Sequence, residues 1–213
     1  MKMSAKVIVF LGPPGSGKGT QAARLSTALG IPTVSTGEML RRECQSGSDL
    51  GNQVQNVLAS GRLVSDDLIN RTVANRLLQR DCELGCILDG YPRTVAQAQH
   101  LDSLLANLDL PAPVIFDFEV SCEEVVARLD HRRQCVQRTD DHPATVRERL
   151  RLYEENAAEM IRYYQARRFH RIQASGLPDE IFDEIIGALA SYRPAPVLSG
   201  ATGNALSRAC VSL

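Results

Sequence analysis

Residues 12–20 read Gly-Pro-Pro-Gly-Ser-Gly-Lys-Gly-Thr, with one lysine set among glycines. Glycine lets the backbone curl until successive N–H groups point at one spot, and such a nest holds an anion. An apolar, β-branched run from Val7 to Leu11 precedes it, and a helical pattern closed by Gly30 follows. That order aims the positive end of a helix at the nest, while the Lys18 ammonium can reach the outer phosphates of a polyphosphate chain. Polyphosphate binding by Gly15, Ser16, Gly17, Lys18, Gly19 and Thr20 is the chemistry this stretch suits. In the general pattern Ser or Thr directly follows the lysine; here Gly19 intervenes before Thr20.

Asp89 ends a second buried-looking run, Cys86-Ile87-Leu88, where a carboxylate beside a phosphate loop can hold Mg²⁺ or its waters. Arg93 follows in a Gly90-Tyr91-Pro92-Arg93 turn on the same side of a parallel sheet. Arg128 and Arg132 are four residues apart and share a helix face. Arg149, on a long helical pattern, faces the same region if the chain doubles back. Guanidinium forks match phosphate oxygens. A phosphate acceptor is already ionised near neutral pH, so transfer to it needs charge neutralisation and in-line placement, not a general base.

These residues need a scaffold that alternates strands with helices. Strand-like runs fall at 7–11, 86–88, 114–118 and 169–172, with a weaker one at 32–34. Helical patterns start near Thr36, Asp49, Ser65, Thr94, Ser121, Pro143 and Pro178. The longest runs from Pro143 to about Arg168, with Val146, Leu150, Tyr153, Ala157, Ile161 and Tyr164 on one face. The alternation predicts an α/β fold, a doubly wound sheet. From Pro194 to Leu213 the chain turns to small residues and reads as a loosely ordered extension.

Composition narrows the classes. The 213 residues suit one domain, and 44% hydrophobic with 23% charged is ordinary globular chemistry. The net charge of −1, 5% aromatics and no Trp argue against a nucleic-acid binder, even with an arginine-dense stretch from 128 to 171. The six cysteines make no paired C-x-x-C units, so no zinc is expected. No segment reads as a signal peptide or membrane span, so a cytoplasmic location and no membrane partner are expected.

G-x-P-G-x-G-K-G-T resembles the phosphate loop of nucleoside monophosphate kinases, above all adenylate kinases. Ser35-Thr36-Gly37-Glu38-Met39-Leu40-Arg41, Gly61-Arg62-Leu63-Val64, and Leu88-Asp89-Gly90-Tyr91-Pro92-Arg93-Thr94 followed by Gln97 resemble further motifs of that family. So do Arg128, Arg132, Arg138-Thr139-Asp140-Asp141 and Arg149-Leu150, at short-lid spacing. The likeness spans about residues 6–192. It implies a P-loop fold with a central parallel five-stranded sheet and helices on both faces. A mobile acceptor-binding segment at about 35–64 and a short lid at about 131–141 are implied inside a 1–193 domain, with 194–213 outside it.

The implied reaction is MgATP plus AMP going reversibly to two ADP, by a monomer acting on small molecules. The resemblance assigns transfer to Lys18, Arg93, Arg132, Arg138 and Arg149. It assigns ATP to the loop with Arg128, Arg132 and the backbone near Leu177. AMP goes to Thr36, Arg41, Arg62, Leu63, Val64, Gly90, Tyr91, Pro92, Arg93, Gln97, Arg138 and Arg149. Mg²⁺ goes to Asp89 through water. Thr36 and Gln97 resemble adenine-reading positions, whereas uridylate–cytidylate kinases tend to carry Ala and Asn there. A UMP/CMP kinase or a GTP:AMP phosphotransferase on the same scaffold is the alternative. An ATPase would leave Arg41, Arg93 and the Tyr91-Pro92 turn without a role.

Overall fold

A computed structural model describes residues 6–47, 49–60, 62–136 and 142–192. The chain runs β1 (Lys6–Leu11), α1 (Lys18–Leu29), β2 (Thr33–Ser35), α2 (Thr36–Ser46), α3 (Asp49–Ala59), α4 (Asp66–Leu77) and a single 3-10 turn at Arg80–Cys82. There follow β3 (Gly85–Asp89), α5 (Val95–Asn107), β4 (Val114–Glu119), α6 (Cys122–Val136), α7 (Pro143–Tyr164), β5 (Phe169–Gln173) and α8 (Pro178–Ser191). The five strands form one sheet in the order β2-β3-β1-β4-β5, every pair parallel. The expected sheet and its helices are both present.

The central strands β1, β3 and β4 are mostly apolar because both faces are covered, while the edge strands β2 and β5 carry more polar residues. Along β1, Val7, Val9 and Leu11 join a core with Ile69 and Val73 of α4, Leu101 and Leu105 of α5, and Tyr164 of α7. The alternate residues Ile8 and Phe10 point to the other face, where Leu25 of α1 and Ile185 of α8 enclose them with Phe116 and Phe118. Phe10 lies edge-on to Phe116, with ring centres 5.9 Å apart. Burying side chains of this size stabilises by roughly 1.5–3 kcal/mol each. A third, smaller cluster joins α6 to α7 through Val125, Leu129 and Val146.

The chain goes from β1 to β2 on one side of the sheet and later crosses from β3 over β1 to β4 on the other, so the carboxyl ends of β1, β3 and β4 open a crevice there. The loop before α1, the turn after β3 and the end of β4 all face it.

One expectation is corrected. The long helix stops at Tyr164 rather than near Arg168, because Arg168 already accepts a hydrogen bond from Ile115 N–H (2.8 Å) and leads the chain into β5. Its apolar stripe divides between core and cleft. Val146 and Tyr164 are buried, but Tyr153, Ala157 and Ile161 between them are half-buried and line the crevice. The tail from 194 and the lid residues 137–141 lie outside the described residues.

His170 of β5 stacks on Phe116 (5.5 Å) and meets the Tyr192 ring edge-on (5.0 Å), with its Nε2 buried and no hydrogen-bond partner among the described residues. Burial lowers its pKa below the ordinary 6.5, against a weaker opposing pull from Glu184. The folded state therefore resists a proton that the unfolded chain accepts, so this contribution to stability is present above about pH 6.5 and fades as the pH falls through that value. The melting temperature of the parent should drop more between pH 7.5 and 5.5 than that of His170→Phe. Equal slopes in a thermal-melt series would refute the assignment.

Candidate active site

The phosphate loop leaves β1 through Gly12, whose φ of +134° lies outside the range of most residues. A Cβ there would come 2.8 Å from the Phe118 carbonyl oxygen, and one on Gly15 would come 2.9 Å from Leu129 Cγ. Glycine thus allows the loop to lie directly on β4 and α6. α1 begins at Lys18 with no acidic residue in its first turn, so its positive end meets no local carboxylate.

Lys18 folds back over the loop. Its Nζ donates to Gly12 O (2.8 Å), Pro13 O (2.6 Å) and Ser16 Oγ (3.1 Å). Burial lowers its pKa to about 8; Asp89 pulls upward, and Arg93, Arg149 and Arg132 push it down further. Three arginines far apart in sequence therefore act electrostatically on one ammonium.

A cleft of about 1160 Å³ gathers most of the expected residues. The loop contributes Gly15, Ser16, Gly17, Lys18, Gly19 and Thr20, and the β3 end contributes Asp89, Gly90, Pro92 and Arg93. Arg41, Arg62 and Leu63 come from one side, Arg128, Arg132 and Arg149 from the other. Arg128 holds the site together: it donates to Ser16 O (3.4 Å), Glu124 Oε1 (2.5 Å) and Ala174 O (2.6 Å). It thereby connects the loop to α6 and to the segment before α8.

Beside it lies a small pocket of about 40 Å³, bounded among others by Thr36, Val64, Gly90, Arg93 and Gln97. Thr36 Oγ1 donates to Gly90 O (2.9 Å), and Arg93 Nε donates to the same oxygen (2.7 Å). Gln97 Oε1 accepts from Arg93 N (2.7 Å).

The family model for adenylate kinase matches residues 10–169 of the chain. Curated adenylate kinases agree with it over 183 residues, 85% of this chain and 98% of each relative: 45% identity for that of Stenotrophomonas maltophilia (strain R551-3), 45% for that of Xanthomonas campestris pv. campestris (strain 8004) and 44% for that of Xanthomonas euvesicatoria pv. vesicatoria (strain 85-10). The chain belongs to the adenylate kinase family.

Within this adenylate kinase fold, three expected residues do not line either cavity as described. Tyr91 is fully buried, with its hydroxyl donating to Asn70 Oδ1 (2.6 Å) and lying 3.2 Å from the Gln97 carbonyl oxygen. Its side chain anchors the turn to α4 instead of facing a ligand. Leu177 is exposed at the start of α8, while its neighbours Gly176 and Pro178 reach the cleft. Arg138 lies outside the described residues.

Sequence reading also passed over residues that the fold brings in. Asp117 sits in the buried strand β4, lines the cleft and is nearly inaccessible to solvent. Burial and Glu119 raise its pKa, opposed by Arg171 and Lys18. An acid inside the apolar run Val114–Phe118 was the available signal. Asp66 is the other: its Oδ1 accepts from Gln97 Nε2 (2.6 Å).

The donor set suits Mg²⁺ held mainly by phosphate and water. Asp89 is a cleft-lining carboxylate that accepts from Ser35 Oγ (3.5 Å), and no cluster of three or more His, Cys, Asp or Glu able to hold a metal occurs among the described residues. The described cysteines are free thiols.

Tyr91→Phe should leave the Asn70 carboxamide oxygen without its donor and cost about 1–2 kcal/mol. Urea unfolding measures this; an unchanged midpoint would show that the turn does not depend on that bond.

Proposed function

We propose that this adenylate kinase transfers the terminal phosphoryl group of ATP to AMP, reversibly giving two ADP. The observation that carries the reading is the adjoining of two unlike cavities. One is a basic cleft over a phosphate loop; the other is a small pocket bounded by Thr36 and Gln97, opening beside Arg93. In this reading a nucleoside monophosphate lies with its base toward the second and its phosphate turned toward the first.

In this reading Lys18 gives up the loop's own carbonyls and donates to the donor's outer phosphates, joined by loop N–H groups and the end of α1. Arg128 and Arg132 face the donor; Arg41 and Arg93 face the acceptor phosphate, with Arg62, Leu63, Val64, Gly90 and Pro92 shaping that side. Arg149, and Arg138 from beyond the described residues, spread positive charge over the group in transit. When bound, Mg²⁺ held near Asp89 neutralises phosphate charge. The acceptor oxygen is already an anion, so no side chain has to take its proton, and placement supplies the rate. Segments 35–64 and 131–141 close over the substrates and keep water from taking the phosphoryl group.

The enzyme is proposed to act on small molecules as a cytoplasmic monomer, without nucleic acid, and with the 194–213 tail outside the catalytic domain. No helix among the described residues is long and apolar enough to cross a membrane. Thr36 at the acceptor pocket favours AMP over the pyrimidine acceptors.

ADP formation from MgATP, with AMP, CMP, UMP, GMP or no acceptor in parallel, tests this reading. Rapid turnover with AMP alone is expected; equal ADP without acceptor would make the protein an ATPase and remove the acceptor site. Lys18→Ala should lower kcat by roughly 100-fold or more, on the scale of losing a charged transition-state contact. A near-normal rate would break the phosphate-loop assignment. Thr36→Ala should narrow the preference for AMP over CMP, and an unchanged ratio would take Thr36 out of base reading.

A further inference from the structure

Gln97 sits in the first turn of α5, 2% exposed, with its side chain bordering the acceptor pocket. Its amide is held at both ends by groups that cannot exchange roles. Oε1 accepts from the Arg93 backbone N–H (2.7 Å), and Nε2 donates to Asp66 Oδ1 (2.6 Å). A backbone N–H only donates and a carboxylate only accepts. Turning the amide over would replace two hydrogen bonds by two repulsive contacts, and the bond to the carboxylate is charge-assisted.

The surroundings keep Asp66 in the accepting role. Thr94 Oγ1 accepts from Gln97 N (3.2 Å), which leaves the Thr94 proton to point at Asp66 Oδ2 (3.3 Å). Asp66 is also in the first turn of α4, where the positive helix end favours a negative charge. Every bond around the ring Asp66–Gln97–Thr94 thus has a fixed direction.

What remains on Gln97 is one N–H and one oxygen lone pair, in a fixed order. Thr36 carries a matching restriction: its proton is donated to Gly90 O, so toward the pocket it can only accept. Thr36 and Gln97 together therefore present two acceptors and one donor to the pocket. A 6-aminopurine offers an N–H donor at position 6 beside an acceptor at ring position 1. A 6-oxopurine offers the reverse, an acceptor at position 6 beside an N–H.

We propose that Asp66 is a positioning residue that fixes the Gln97 amide, and thereby selects 6-aminopurine over 6-oxopurine monophosphates as phosphoryl acceptors. The inference rests on Gln97 reading the acceptor base. It goes beyond a helix-start role for Asp66, which would affect stability and leave base choice alone.

The test compares kcat/KM for AMP and IMP, with MgATP as donor, in the full-length enzyme and in Asp66→Ala, Asp66→Asn and Gln97→Ala. Asp66→Ala is expected to lower the AMP/IMP ratio about tenfold or more, mainly through KM for AMP, while KM for ATP stays put; tenfold is the scale of one lost hydrogen bond to a charged group. Asp66→Asn can still turn an acceptor oxygen to Gln97 but can also turn its NH2 there, so its ratio should fall between those of the parent and Asp66→Ala. If Asp66→Ala does not fold, Asp66→Ser reads the same ratio, because a hydroxyl donates or accepts alike and cannot tell the two ends of the amide apart. An unchanged ratio in the folded Asp66 variant, with the ratio collapsing in Gln97→Ala, overturns the positioning role and leaves base reading by Gln97 intact. No change in Gln97→Ala overturns both.

Discussion

A buried ammonium set among guanidinium groups is the condition around which the site is built. Burial pushes down the affinity of Lys18 for its proton, Asp89 opposes this, and Arg93, Arg149 and Arg132 add to the lowering by repulsion. Such a grouping assembles only because the fold elsewhere is strong enough to hold it. The sheet, covered on both faces, fixes the ends of β1, β3 and β4, and Arg128 pins the phosphate loop to α6 and to the chain before α8. An incoming polyphosphate converts this repulsion into attraction. The binding energy is thereby concentrated where the transferring group carries its charge.

The acceptor side works by a different rule. Arg62 and Arg93 border the pocket between Thr36 and Gln97, but what distinguishes those two side chains is direction. Thr36 and Arg93 both donate to Gly90 O, Gln97 is held at both ends, and the Tyr91 hydroxyl fastens the intervening turn to Asn70. Two residues of α4, Asp66 and Asn70, lie one helical turn apart and hold the same loop. In the proposed reading, affinity for phosphate and discrimination between bases are carried by separate sets of contacts, one electrostatic and diffuse, the other short and oriented.

Much of this was legible in the chain because it depends on local pattern. Apolar runs gave away all five strands, and the glycine spacing at 12–19 predicted a cradle whose φ values the fold then requires. The arginines were recognisable as a group only through the family's spacing, since a single exposed arginine carries no sign of its target. What the sequence hid are long-range effects. Tyr91 looked like a ligand contact because it lies inside the signature, yet its partner is 21 residues upstream. Asp66 carries no sign of its role in the sequence, and only the packing of α4 on α5 brings it to Gln97. The stripe on α7 showed one apolar face without showing which part is core and which is cleft, because a cleft wall and a protein interior call for the same side chains.

The posture of Lys18 also sets a threshold. With its ammonium engaged by two loop carbonyls and the Ser16 hydroxyl, the loop carries an internal substitute for its ligand. Any anion that enters must outbid three hydrogen bonds already made. Part of the binding energy of any phosphate chain therefore goes into freeing the ammonium, and a chain of several phosphates offers it more replacement contacts than a single anion does.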